Sequence, residues 1–342
     1  MLNLITPTPQ AWDAFVAQHP RAHALQQSQW GDLKAAYGWG VERVALADGD
    51  QIVAGAQLLF RALPFRLGTM AYLPIGGYVT DDSQWLRLWE AVAIVAKRHR
   101  AAFLKWEPGI SPTFPEGNFG LWGFRPSAQT VQPPRTILIN ISADDEAILS
   151  RMNQGTRRKI RQSLKNGVVY KEATRPEVAK FTAMMQTTGS RNEFGVHDPS
   201  YYELAYDLFV PHSAALILAE HESDPLAGIM VFAAGKSAWY LYGASSNVKR
   251  NLMATYGVQW QAIQWAKARG CTVYDLWGIP DEDESTLEAQ FETREDGLWG
   301  VYGFKRGWGG AVVRSAGAWD KVYNPLIYKA YQLALKRRGV RE

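Results

Sequence analysis

Apolar residues in this chain gather in short runs and one clear helical stripe, and the same succession occurs twice. Residues 52–60, IVAGAQLLF, read as a strand, and 70–79, MAYLPIGGYV, as a second strand ending in Gly76 and Gly77. From Trp85 to Arg100 the residues Leu88, Val92, Val95 and Ala96 fall on one stripe, which predicts a helix. The run 101–109, AAFLKWEPG, is then a strand stopped by Pro108 and Gly109. In the second half, 225–232 (PLAGIMVF) and 237–246 (SAWYLYGASS) repeat the two strands. The segment 255–270 repeats the helix, closing on Lys267, Arg269 and Gly270, and 271–280 (CTVYDLWGIP) repeats the last strand. Gly55 aligns with Gly228, Tyr72 with Tyr240 and Phe103 with Val273, at offsets of 173, 168 and 170 residues. Near-constant offsets over four elements point to an internal duplication of a mixed α/β unit. The boundary is expected near Pro133 and Pro134 or just after, which gives subdomains 1–145 and 146–317. No GxGxxG follows the first strand, which argues against a Rossmann unit.

Composition changes this picture little. A chain of 342 residues buries roughly 75% of its unfolded surface and has room for two domains. With 20% charged residues and a net charge of +4, a polyanion partner has to be argued from local clusters. Cys271 is the single cysteine and excludes an intramolecular disulfide. The six histidines show no metal spacing, so neither a metal nor a cofactor is expected. The N-terminal residues lack a basic segment followed by an apolar one, and no run approaches the roughly 20 apolar residues of a spanning helix. A cytoplasmic protein is expected, with peripheral contact to the inner membrane surface left open.

Three local clusters carry candidate chemistry. In 151–170, Arg158, Arg161 and Lys165 share a helix face, Arg157 and Lys159 add charge, and Ile160 and Leu164 point toward a core. This reads as a solvated face or as a contact for RNA phosphates. The acidic run 281–284, with Glu288, Glu292 and Glu295, reads as solvated surface, while Asp275 stands at a strand end. Residues 301–310, VYGFKRGWGG, pair Lys305 and Arg306 with glycines that permit close backbone approach.

The order of motifs resembles the FemABX family of aminoacyl-tRNA-dependent peptidyltransferases, which add amino acids to the stem peptide of bacterial cell-wall precursors. The resemblance runs through QQSQWGDLKAAYGW (26–39), YLPIGGYV (72–79), LKWEP (104–108), TRRKIRQSLKNGV (156–168) and TGSRNEFGVHDPSYY (188–202). It continues with YLYGASS (240–246), residues 254–280 and GLWGVYGFKRGWGG (297–310). It implies two subdomains of the N-acetyltransferase-like (GNAT-like) fold, with a C-terminal segment 318–342 packing back on the first. In that segment a helix with Leu326, Tyr331 and Leu335 inward is expected. No heptad insertion is present, so the chain looks like the compact members without a coiled-coil arm.

By the same resemblance, Lys34 matches the lysine that grips the nucleotide or diphosphate part of the precursor, and Arg191 matches its basic partner. Lys305, preceded by Phe304, matches the lysine implicated in transfer. Tyr242 and Tyr256 resemble aromatic positions along the acceptor-peptide channel, and Tyr72 joins them among the substrate-binding candidates. Trp308-Gly309 stands where the family pattern has Phe-Gly. The implied reaction is aminolysis of an aminoacyl-tRNA ester by the side-chain amine of the third stem-peptide residue, on a nucleotide- or lipid-linked muramyl pentapeptide. Arg157, Arg158, Arg161, Lys165 and Arg306 are the tRNA-contacting candidates, and Asp275 is a candidate proton acceptor. The rival readings are an acyl-CoA N-acyltransferase, a relative acting on another amine, and a non-enzymatic RNA-binding protein. No Gly-rich basic turn of the pyrophosphate-binding kind precedes either repeat helix.

Overall fold

The structure, a computed structural model, describes residues 2–110, 116–192 and 195–337. The chain forms two compact units, Met1–Pro134 with Arg314–Glu342, and Arg135–Val313. In the first unit the strands are β1 (Asn3–Ile5), β2 (Gly40–Asp48), β3 (Gln51–Ala62), β4 (Thr69–Pro74), β5 (Tyr78–Val79), β6 (Ala101–Glu107) and β7 (Phe124–Pro126). Helices α1 (Pro9–Gln18) and α2 (Ser28–Ala36) lie between β1 and β2, and α3 (Trp85–Arg98) precedes β6. Thr8 caps α1 by accepting from the Ala11 N–H at 3.2 Å, with Pro9 at the first helical position. The stripe read from sequence is the buried side of α3. The strand read as 70–79 breaks after Pro74, because Ile75 and Gly77 take left-handed backbone angles (φ 44° and 79°) that turn the chain into β5.

The second unit begins with β8 (Arg135–Asn140), α4 (Asp145–Arg151), α5 (Gln154–Lys165) and β9 (Val169–Glu172). It continues through α6 (Val178–Asn192), α7 (Pro199–Phe209), β10 (Ala214–His221), β11 (Asp224–Ala234) and β12 (Ser237–Ser245). Then come α8 (Ala254–Ala268), β13 (Val273–Asp275), α9 (Glu284–Gln290), α10 (Trp299–Lys305) and β14 (Ala311–Arg314). The chain ends in the first unit with β15 (Trp319–Val322) and α11 (Pro325–Arg337). Helices α6 and α7 and helix α8 both pack on the central strands β10 and β11. Strand β11 is buried along nearly its whole length, and so reads as a continuous apolar run rather than an alternating one.

The sheet orders are β1-β2-β3-β4-β6-β15-β7, with β5 on β3, and β9-β10-β11-β12-β13-β8-β14. In both, the step from the fourth to the fifth strand is parallel (β4 to β6, β12 to β13). The duplication therefore reaches further than four elements. In each sheet the sixth strand comes from outside the repeat that supplies its neighbours: β15 from the C-terminal segment, β8 from the stretch after β7. Strand β8 pairs with β13, so the division falls after Pro134 and the stretch up to 145 lies in the second unit.

Register refines the alignment. Gly55 and Gly228 occupy equivalent places, since a β-carbon would meet Trp12 of α1 at 2.6 Å in one case and Phe181 of α6 at 2.8 Å in the other. Met70 pairs with Phe103 and Ser237 with Val273, so the counterpart of Tyr72 is Trp239 rather than Tyr240. A one-residue slip of this kind exchanges the faces of a strand. Lys105 then matches Asp275, and both are buried charges. Two expected inward leucines are exposed instead: Leu164 on α5 and Leu326 on α11, whose core contacts come from Ile327, Tyr328 and Tyr331.

Candidate active site

Lys305 ends α10 and is buried, with 6% of its surface exposed. Its Nζ donates to the carbonyl oxygens of Trp277 and Gly278, the latter at 2.6 Å, and lies 5.7 Å from the centre of the Tyr240 ring. Burial pushes its pKa down to about 7, only partly countered by the Asp275 charge. The two carbonyls are aimed by a strained loop, in which Trp277 (φ 53°) and Gly278 (φ 41°) are both left-handed. Asp275 holds this loop: one carboxylate oxygen accepts from the Trp277 N–H at 2.7 Å and from Thr136 Oγ1 at 2.5 Å. That bond ends the strand at Asp275, where the sequence reading carried it to 280. Burial raises the Asp275 pKa to about 6 against the hydrogen bonds and the Lys305 charge. The backbone N–H groups of Leu276 and Ile279 donate to Ile137 and Arg135, tying the loop to β8.

The glycines after Lys305 serve packing. A β-carbon on Gly307 would meet Thr156 Oγ1 at 2.3 Å, and one on Gly309 (φ 72°) the Arg151 carbonyl oxygen at 2.4 Å. The Gly307 carbonyl accepts from the Asn153 N–H at 3.0 Å, so this turn is fastened to the start of α5. Phe304, Tyr256 and Trp308 form a ring cluster with centroids 5.0 to 6.1 Å apart. Lys159 of α5 donates to Tyr256 Oη at 3.1 Å. Arg306 is gripped by Glu288, with Nε 2.9 Å from Oε1, and its guanidinium covers Phe291 at 4.1 Å. Glu288 also accepts from Tyr302 at 2.8 Å, so it is a structural anchor rather than solvated surface.

On α5, Arg157 turns back to cap α4, donating to the Met152 carbonyl at 2.6 Å. Arg158, Arg161 and Lys165 are exposed and have no ion-pair partner among the described residues.

Elsewhere in this unit Arg191, at the end of α6, donates to Asn247 Oδ1 at 2.9 Å and Ser245 Oγ at 3.0 Å. Burial and the nearby Arg250 charge lower its pKa. Tyr242 Oη is 3.1 Å from Tyr201 Oη, with Tyr202 and His197 around its ring. The unit thus joins Lys305, Asp275, Phe304 and Tyr256 in one group, and sets Arg191 and Tyr242 apart from it on β12 and its flanking helices.

In the first unit, Lys34 lies over the Trp30 ring at 4.5 Å, and burial together with the Arg61 charge lowers its pKa to about 8. Arg61 covers Trp39 at 5.2 Å, and Trp39 is 6.3 Å from the Tyr72 ring. Tyr72 is buried with its hydroxyl donating to Glu107 and accepting from Gln132 Nε2 at 3.0 Å. Glu107 accepts from the Val131 N–H at 2.5 Å, and its burial raises its pKa. Tyr72 is therefore held in place by Glu107 and Gln132, with Trp39 between its ring and Arg61. Sequence reading missed Arg61, Arg250 and Glu107. Arg250 was visible as one half of the Lys-Arg pair at 249–250, and Glu107 lay inside the quoted stretch LKWEP.

Lys105, the counterpart of Asp275, shows what a structural version of such a charge looks like. Its ammonium is satisfied by Ser127, the Gln129 carbonyl at 2.8 Å and Asp320 of β15 at 3.1 Å.

Comparison with known proteins identifies the family and the fold. The chain is 29% identical over 400 aligned positions to the lipid II:glycine glycyltransferase of Staphylococcus saprophyticus, covering 94% of this chain and 93% of that one. The alignment is longer than the 342 residues of this chain, so the relative carries residues with no counterpart here. The crystal structure of FemX superposes with a TM-score of 0.86 at 24% identity, covering 96% of this chain and 99% of that one. A tandem GNAT protein from the clavulanic acid pathway superposes with a TM-score of 0.55 at 13% identity, over 95% and 99% of the two chains. The fold is thus two GNAT-like subdomains. The FemAB family model matches residues 8–114, 119–224 and 220–336, and the chain belongs to the FemAB family.

Proposed function

We propose that the protein transfers an amino acid from aminoacyl-tRNA to the third-residue side-chain amine of a peptidoglycan precursor. The observation that supports this most is Lys305: a buried ammonium fixed by two backbone carbonyls, beside a ring cluster tied to a basic helix. Relatives named for glycine transfer to lipid II supply the acceptor class. The donor ester is already activated, so no covalent protein intermediate is required. The amine nitrogen bonds to the ester carbonyl carbon, the bond to the ribose oxygen breaks, and a proton passes from nitrogen to that oxygen. Lys305 supplies positive charge to the oxyanion or to the departing ribose, which is the larger share of catalysis in such a step. Asp275 is a positioning residue: by fixing the Trp277 N–H it sets the carbonyls that hold Lys305. Lys34 with Arg61, and Arg191 with Arg250, are paired cations suited to a diphosphate. The exposed face of α5 meets tRNA phosphates.

The test mixes purified protein with a pool of charged tRNAs and, separately, nucleotide-linked and lipid-linked precursors, and reads products by mass spectrometry. A precursor heavier by one amino-acid residue establishes the reaction and names donor and acceptor together. No product from any pair of intact substrates would sink it, and a product formed from an acyl-CoA would replace it.

A further inference from the structure

The turn between β3 and β4 is built in an unusual way. Its two central residues, Phe65 (φ 56°) and Arg66 (φ 58°), are both left-handed, and the Leu63 N–H donates to the Gly68 carbonyl at 2.9 Å. Tight hairpin turns of this hand ordinarily use Asn and Gly, because a β-carbon is strained there. The strain here presents an aromatic ring outward: Phe65 is 93% exposed, and Pro64, Arg66 and Leu67 beside it are also exposed. Strain of this kind that gains no packing points to a role outside the fold.

The surroundings of the tip are cationic. Arg61 and Arg66 lie in the hairpin, and Arg100 adjoins it through its carbonyl, which accepts from the Thr69 N–H at 3.1 Å. None of the three has an ion-pair partner among the described residues, and the stretches 61–70 and 97–101 hold no Asp or Glu. Leu63, at the base of the turn, packs into the same cluster as Ile327 and Tyr331 of α11. The outer side of α11 repeats the mixture: Leu326 (82% exposed) and Leu333, with Lys329, Lys336 and Arg337, and no acidic residue in the helix. Apolar tips ringed by unpaired cations match an anionic bilayer surface, where rings and leucines enter the headgroup boundary and cations meet lipid phosphates.

We propose that the β3–β4 tip, with the adjoining outer face of α11, docks the protein on an anionic phospholipid membrane. This rests on the transfer function proposed above and narrows its acceptor. Arg61, whose charge bears on Lys34, is four residues from Phe65, so a docked tip brings the candidate diphosphate grip close to the bilayer plane. A lipid-linked precursor carries its diphosphate at that plane, and a nucleotide-linked one does not.

Full-length protein is sedimented with phosphatidylcholine vesicles containing or lacking phosphatidylglycerol, at low and high salt. Binding is expected to the phosphatidylglycerol vesicles alone and to weaken with salt. The variant Phe65→Gly with Leu67→Ser should bind about tenfold or more weakly. Its thermal midpoint should be no lower, because glycine accepts the left-handed angle without strain. Arg66→Glu should also weaken binding and flatten its salt dependence. Wild-type protein that ignores these vesicles, or a double variant that binds them equally, overturns the docking surface. A concentration-dependent dimer that requires Phe65, without vesicle binding, overturns it too. Transfer to a nucleotide-linked acceptor is followed alongside. Vesicle binding without transfer to any acceptor would count against the reaction alone, and transfer without vesicle binding against the docking surface alone.

Discussion

At the scale of single residues, Lys305 is a cation in surroundings that work against its charge. With a pKa of about 7, it is charged in only part of the protein at neutral pH. If its charge stabilises the transition state while the attacking amine, which titrates at about 10, must be neutral, kcat/KM should rise with pH up to about 7 and then level off, because each further loss of Lys305 charge offsets the gain in neutral amine. Lys305→Arg should let the rise continue above pH 7 instead of levelling off, since guanidinium stays charged. Lys305→Met should cost about 10²- to 10³-fold in kcat, the usual loss on removing one oxyanion donor. An unchanged pH profile in Lys305→Arg would remove the lysine from the chemistry. Stability gives a separate readout. Between pH 7 and 10.5 the unfolded chain binds more protons at this lysine than the folded one, so its contribution to stability grows with pH. Lys305→Met should flatten that slope in urea titrations and be no less stable at neutral pH. The paired cations are tested by Lys34→Ala and Arg191→Ala. Each should weaken precursor binding in calorimetry by more than tRNA binding, roughly tenfold for the removal of one charge-assisted hydrogen bond. Equal weakening toward both ligands would sink that division of labour.

At the scale of elements, α5 links its exposed cations to the candidate catalytic turn. Its first residues hold Gly307, its middle holds Tyr256 through Lys159, and its outer face carries Arg158, Arg161 and Lys165. Replacing those three with Glu should lower tRNA affinity and reduce the slope of log affinity against log salt by about one for each phosphate no longer neutralised. Precursor binding should be unaffected, and filter binding over a salt series checks both points. The helix stripes and strand runs were legible because periodicity reports burial directly, as on α3. What stayed hidden depends on long-range partners. Nothing local tells that Glu288 holds Arg306 from a separate helix, or that Asp275 spends its carboxylate on the loop under Lys305. Leu164 and Leu326 lie at helical spacing yet face solvent, because a sheet or helix at hand decides which apolar side is covered. The tip at Phe65 was invisible as well, since an exposed ring in a Pro-containing turn looks like any loop until its backbone angles are known.

At the scale of the whole molecule, the duplication is not a tandem of separable halves. Each sheet takes its sixth strand from a segment that the order of the repeats assigns to the other: β15 lies between β6 and β7, and β8 between β13 and β14. The fragment 1–134 would therefore lack the partner of β6, leaving a sheet edge exposed where Leu104 and Lys105 pair with Lys321 and Asp320. It would also strand the Lys105 ammonium without Asp320, and breaking a buried pair by removing one partner costs about 3–5 kcal/mol. Such a loss is a large part of the stability of a single domain. The expected outcome is a fragment that aggregates or unfolds without a cooperative transition. The structure also shows the repair, since the Ser315 N–H donates to the Pro134 carbonyl at 2.7 Å, so the ends of the two segments of this unit are adjacent. Joining 1–134 to 314–342 by a short glycine linker should restore β15 and α11 and give a cooperative thermal transition by circular dichroism. Adding Asp320→Ala to the joined chain should remove most of that gain, because it leaves the strand in place but the lysine unpaired. If 1–134 alone melts as cooperatively, and at the same temperature, as the joined chain, the exchanged strand contributes nothing to the fold of its host sheet.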